Sequence, residues 1–528
     1  MAGLGLQRGV ATPPPALWIP AVLMGLAALI PVAYLTIRAT EDPAGALRVL
    51  TTSGTLFLVV RSVLFAAVVS LIAAAIALPL AWLTTRTDLP ARGVIAFLAP
   101  LPLAIPSYVA ALAAIGAFSP RGSLQGLLAP LGVEELPSIY GFGGAVVVLA
   151  FVTYPYLLLT LRPAMLALDP RLEELSRTFG YGSSTTFRRV VFPQLRPALA
   201  SGGLLVALYA LSDFGTPALM RFDSFTRVIF SRYQSSFERG EAAGLALFLA
   251  MLALAVVSMD VWSRGRARYD SAHGQRRPAS RVPLGGWRWP AFAFCLIVLA
   301  FALVLPVGTL LFWLLRALDA PGMADVLGES IRGSATAGLL ASVAATAAAL
   351  PFALLTVRHP RWWLTRPLEV LSYTGYALPG LVVALALVFT SVRFGALYQS
   401  LGVLIAAYVM LFLPQAVGAA RVGLLQVRPS MEEAARGLGR VPLAVVRTVT
   451  LPLAGRGVLA GAALVFLSTL KELPVTLLLS PTGYRTLATR VWSLSNEALY
   501  AQAAIPALLL IALSSIPVLA ASLSRRND

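Results

Sequence analysis

The 528 residues include a single cysteine, two histidines and a single lysine, and each scarcity removes a class of chemistry. Cys295 lies inside an apolar run, so neither a disulfide framework nor a cysteine metal site is available. His273 and His359 both lie among arginines outside the apolar runs. No Ser/His or metal-ligand constellation therefore arises at membrane depth, which counts against an intramembrane enzyme. Lys471, the only lysine, is preceded by Leu470 and followed by Glu472. A loop that cradles phosphates needs Gly-x-x-x-x-Gly-Lys-Ser/Thr, so the chain has no ATPase site of its own. Charge of either sign is scarce too, at 12% of residues.

What is abundant is apolar surface. Apolar residues make up 58% of the chain and the mean hydropathy is +0.81, more than a soluble interior of this size can hide. A spanning helix needs about 20 mostly apolar residues. Twelve such stretches are expected, near 16–37, 56–83, 94–117, 143–161, 198–219 and 242–262, then 290–315, 334–356, 368–392, 401–420, 457–477 and 501–523. The first is too long for a signal-peptide core and has no convincing cleavage site, so it reads as a retained span. The net charge of +18 could suggest nucleic acid, but the basic residues sit in short loops between spans and form no basic domain. Most of the 41 basic residues fall on one side if the N-terminus is cytoplasmic, which predicts that both termini are cytoplasmic. The expectation is an all-α, multi-pass integral membrane protein.

The chain also repeats itself. A shift of 259 residues superimposes 169–193 on 428–452, matching Pro170 with Pro429, Glu173 with Glu432, Glu174 with Glu433, Arg177 with Arg436, Gly180 with Gly439 and Pro193 with Pro452. The same shift pairs Pro155 with Pro414; further upstream Leu78-Pro79 matches Leu350-Pro351 and Pro106 matches Pro379. The expected organisation is a first transmembrane domain over 1–262, a basic cytoplasmic linker over 263–289 and a second domain over 290–528. These are two tandem six-helix repeats in the same orientation.

The repeated segment falls between the fourth and fifth spans of each half. Leu172, Leu175 and Phe179 stand at i, i+3 and i+7, an apolar stripe answered by Met431, Ala434 and Leu438. Glu173 and Glu174 suit the positive end of the helix dipole, and Gly180 and Gly439 suit its C-terminal cap. Pro193 and Pro452 mark re-entry to the membrane. An apolar stripe on a cytoplasmic loop calls for a groove in another protein, with a hairpin lying on lipid headgroups as the plainer alternative.

Glu174-Leu-Ser-Arg-Thr-Phe-Gly180 with Pro193, and Glu433-Ala-Ala-Arg-Gly-Leu-Gly439 with Pro452, resemble the "EAA" loop of binding-protein-dependent ABC importer permeases. The second copy keeps Glu-Ala-Ala; the first departs mildly, as Glu-Leu-Ser. The resemblance implies the type I permease fold, with each loop a coupling helix seated in an ATP-binding subunit. It also implies two copies of that subunit, which use ATP and Mg. The permease itself then binds no cofactor and catalyses no reaction. A separate substrate-binding protein would dock outside, on 223–241 and 480–500, and the complex would sit in a bacterial inner membrane.

Asp213 and Glu472, related by the same shift, fall toward the ends of the fifth and eleventh spans, with Lys471 beside the second. Ionisable groups in a span are candidates for a translocation pathway, and two carboxylates suit a hard cation, held transiently at most. The alternative is an interfacial role in which Lys471 neutralises Glu472 and Pro474 ends the helix. Leu211-Ser-Asp-Phe-Gly-Thr-Pro-Ala218 and Lys471-Glu-Leu-Pro-Val-Thr-Leu-Leu478 resemble the fused permeases for ferric iron. Thiamine, polyamine or phosphonate permeases are the alternatives within the family. An ion-coupled secondary transporter is the rival outside it, although that rival gives the duplicated loop no task.

Overall fold

The computed structural model describes residues 13–41, 43, 51–119, 122–133, 135–235, 239–265, 282–317 and 323–524. The body of the basic linker, 266–281, lies outside the described residues. Apart from one backbone bridge between Thr87 and Val282, the regular elements described are helices. Ten of them are long and apolar enough to cross a membrane, and a shorter apolar helix spans Gly380–Arg393.

In the first half the main helices are α1 (Pro15–Glu41), α2 (Ser53–Arg86), α3 (Ser107–Phe118), α4 (Phe142–Ala167), α5 (Pro170–Thr178), α6 (Phe192–Ser212), α7 (Gly215–Leu219) and α8 (Arg239–Gly265). The second half continues with α9 (Arg288–Leu299), α10 (Leu305–Ala317), α11 (Met323–Arg358), α12 (Gly380–Arg393), α13 (Leu401–Leu425), α14 (Pro429–Gly437), α15 (Leu451–Lys471), α16 (Pro474–Leu479) and α17 (Tyr500–Ser524).

Four expected spans are broken rather than straight. Around 94–117 the chain carries Pro100, Pro102 and Pro106, and the helical segments before and after Pro106 meet at 99°. Pro106 is extended, as is its counterpart Pro379 just before α12. Proline removes a backbone donor and clashes with the preceding turn, so an apolar run containing it bends or stops. The fifth and eleventh spans break instead at the acidic residues. Asp213 (φ −68°, ψ 126°) and Glu472 (φ −72°, ψ 120°) are extended, each between a long helix and a short one.

The helix ladder slips before each re-entry proline. Residues 187–191 and 446–450 form π turns, in which the Phe192 amide donates to the Phe187 carbonyl and the Leu451 amide to Val446. The wider turn makes room for Pro193 and Pro452 without ending the helix. Farther in, small residues bring neighbouring helices close. A side chain on Gly202 would meet Thr160 and Leu157, and one on Gly461 would meet Ala419 and Ala416, the same positions under the 259-residue shift. Close approach through glycine is how helices associate where no hydrophobic drive separates protein from lipid.

The chain forms two compact units that cut across the halves of the sequence. One comprises residues 1–46 with 324–489, the other 47–323 with 490–528. In the first unit α1 lies on second-half elements: the Tyr34 hydroxyl donates to the Phe389 carbonyl of α12 at 3.1 Å, and their rings stack. In the second, α10 lies on first-half elements: the Trp313 indole donates to the Gly116 carbonyl of α3 at 3.3 Å. The leading span of each half thus packs against the helix that follows the proline break of the other.

Candidate coupling loops and broken spans

The repeated loop folds the same way twice. Glu173 and Glu432 occupy the first turns of α5 and α14, where a carboxylate meets the positive end of the peptide dipoles. Each helix stops at a left-handed glycine, Gly180 at φ +76° and Gly439 at φ +82°. The Tyr181 amide then donates back to Ser176, and the Arg440 amide to Ala435, closing six-residue Schellman caps. Only glycine adopts that conformation without a steric penalty.

The two acidic residues of each copy part company. Glu174 and Glu433 are exposed, whereas Glu173 and Glu432 turn inward. Glu173 Oε1 lies 3.4 Å from Arg86 Nη1. Glu432, only 4% exposed, takes hydrogen bonds at Oε1 from Arg358 Nε (3.1 Å), Arg358 Nη2 (2.9 Å) and Thr450 Oγ1 (2.9 Å). The apolar stripe faces away from the protein: Leu172, Leu175 and Met431 are exposed, as are Phe179 at 71% and Leu438 at 84%. One face of each short helix is therefore held by the body of the chain while the other presents bare hydrocarbon. A bare stripe of this kind calls for a cover, either a groove in another protein or a lipid surface.

Arg86 and Arg358 were not singled out from the sequence. The signal was present, because the shift of 272 residues that superimposes Leu78-Pro79 on Leu350-Pro351 also superimposes these two arginines.

The pathway candidates sit at the breaks. Asp213 Oδ1 accepts from Ser107 Oγ at 2.5 Å, Oδ2 accepts from the Thr216 amide at 3.0 Å, and its carbonyl accepts from Thr226 Oγ1 at 2.7 Å. Its carboxylate thereby joins the start of α3, just after the Pro106 break, to the start of α7. In the second half Glu472 Oε1 accepts from the Val475 amide at 3.3 Å and lies where a side chain on Gly380, the first residue of α12, would be. Its carbonyl accepts from Thr476 Oγ1, which also bonds the buried Tyr408 hydroxyl. Lys471 is half-buried in the last turn of α15. Pro474 does not end that helix but begins α16. In each half one carboxylate accepts an amide from the start of the short helix that follows it and lies against the first residue of the helix after the proline break.

The molecule is thus a duplicated set of apolar helices, broken at matched points and carrying in each copy one short helix with an exposed apolar stripe. The family described as binding-protein-dependent transport system inner membrane component matches residues 76–268 and again 349–527. The chain belongs to that family, a multi-pass inner-membrane component of transporters that work with a binding protein. Among individual relatives, the Fe(3+)-transport system permease protein FbpB 2 of Haemophilus influenzae is 35% identical over 382 residues, covering 71% of this chain and 75% of that protein. A probable ABC transporter permease protein, y4fN of Sinorhizobium fredii, is 25% identical over 73% of each chain. The sulfate transport system permease protein CysT of Salmonella typhimurium is 34% identical over 154 residues, 29% of this chain and 54% of that one.

Proposed function

We propose that this chain is the permease subunit of an ATP-driven importer of ferric iron, supplied by an external binding protein and powered by two copies of an ATP-binding subunit. The observation that carries the coupling role is the pair of helices α5 and α14. Each is anchored inward by an arginine, Arg86 buried and Arg358 half-buried, and displays its apolar stripe outward. Glu174 and Glu433, exposed beside those stripes, are the polar contacts offered to the ATP-binding subunits. With both termini cytoplasmic, the two helices face the cytoplasm, and the segments 223–241 and 480–500 face the binding protein. Closure of the ATP-binding subunits draws the two helices together and rocks the spans, so the pathway opens alternately to each side. Asp213, Lys471 and Glu472 border that pathway at the breaks.

Ferric iron is favoured over sulfate because the ferric relative aligns across most of both chains, whereas the sulfate relative aligns over 29% of this one. The test is uptake of radiolabelled ferric iron, sulfate and thiamine by cells lacking this gene. Loss of iron uptake alone, restored by the intact chain, supports the assignment. Loss of sulfate or thiamine uptake with iron unchanged keeps the permease and discards the ferric cargo.

A further inference from the structure

In each copy of the loop a guanidinium ties the short helix to the ends of neighbouring spans. Arg86 and Arg358 are the last helical residues of α2 and α11. Arg86 donates through Nε and Nη2 to the Met165 carbonyl at 3.2 and 2.8 Å, and through Nη2 to Leu168 at 3.4 Å. Arg358 Nη2 donates to the Leu424 and Val427 carbonyls at 3.5 and 3.1 Å, the same two positions under the 259-residue shift. These carbonyls close the C-terminal ends of α4 and α13, so each cation sits at the negative ends of two helices at once. Its remaining reach goes to the inward acid of the coupling helix, Glu173 or Glu432. Three elements therefore converge on one side chain: the end of a long span, the end of the span before the loop, and the coupling helix itself.

We infer that Arg86 and Arg358 are positioning residues that convert displacement of the coupling helices into displacement of α2 and α11. The inference rests on the coupling role proposed above. Guanidinium geometry suits the task, because a planar fork holds carbonyl and carboxylate partners in fixed directions where an ammonium does not. The two grips differ in strength. Glu432 is buried, receives two nitrogens of Arg358 and is also held by Thr450. Among the described residues Glu173 meets a single guanidinium nitrogen, at 3.4 Å, and is 20% exposed; the position matching Thr450 is Val191. Transmission through the second half is the more rigid of the two.

The test uses the whole complex in proteoliposomes, with the ATP-binding subunit and the cargo-loaded binding protein. Expected for Arg358→Gln is retained assembly and ATP hydrolysis, with cargo delivered per ATP falling about tenfold, the scale of a typical coupling energy. Arg358→Lys recovers part of the loss, and Arg86→Gln loses less than Arg358→Gln. A second readout is independent of the partner: a nitroxide on Glu433→Cys in a Cys295→Ser background becomes more mobile when Arg358→Gln is added. Unchanged delivery per ATP, or an immobile label in the Gln variant, overturns the inference. Loss of assembly in both the Gln and Lys variants also overturns it, leaving a folding role only. If the unsubstituted permease binds no ATP-binding subunit, the coupling function itself fails and the transmission role falls with it, while the nitroxide still reports whether Arg358 grips α14.

Discussion

Asp213 illustrates how a carboxylate is accommodated in an apolar span. Water would normally solvate it; here Ser107 and the Thr216 amide take that place, so its two oxygens serve protein donors. Asp213→Ala strands both donors in a buried setting, at a cost of about 1–3 kcal/mol. Ser107→Ala removes one hydroxyl and the carboxylate keeps its amide partner, a loss of about 1 kcal/mol. Thermal unfolding in detergent should therefore rank Asp213→Ala below Ser107→Ala, with both below the parent. Equal midpoints for all three would show that the carboxylate does not pin the break. Cargo uptake by the same variants separates pinning from ligation, since a pin leaves Ser107→Ala impaired and a pure cargo ligand leaves it normal.

The helices and their ends obey local rules that residue order already expresses. Gly180 and Gly439 were legible as caps from spacing alone, and their left-handed φ angles follow from the sharp exit each loop requires. Replacing Gly439 with alanine forces a Cβ into that conformation at about 1–2 kcal/mol. Gly439→Ala should reduce uptake, with Gly439→Asn milder because asparagine tolerates the region better; equal uptake by all three would show that the cap plays no part in transport. The breaks were less legible. Hydropathy averages over a window, and windows centred on Pro106, Asp213, Pro379 or Glu472 remain apolar enough to pass as spans. The pairing of Pro106 with Pro379 across the repeat was visible, yet a proline inside a span can kink a helix as readily as end it. The inward turn of Glu173 and Glu432 was hidden as well, because adjacent acids look alike until the arginine that takes one of them is located.

At the scale of the whole chain, composition and repetition were enough to identify a duplicated all-helical membrane protein, and the family match over 76–268 and 349–527 agrees. Which helix packs on which was beyond the sequence, since apolar periodicity marks a lipid or protein face without naming the neighbour. Thus α1, first in the chain, lies on α12, and α10 lies on α3. Neither half holds all the helices of one compact unit. Cutting the gene within 266–281 and expressing both pieces together should restore uptake, whereas either piece alone should give none; uptake by the first piece alone would contradict this arrangement.

The position of α1 also sets a clock. Tyr34 leaves the ribosome 355 residues ahead of Phe389, the residue whose carbonyl it bonds. At synthesis rates of about 5–20 residues per second that is a wait of roughly 20–70 s. Throughout it the first helix must rest in lipid without its final neighbours, stable by hydrophobicity alone. Its leading position thus demands a segment able to insert unaided, and a polar substitution there would be felt first as failed insertion, before any transport is possible.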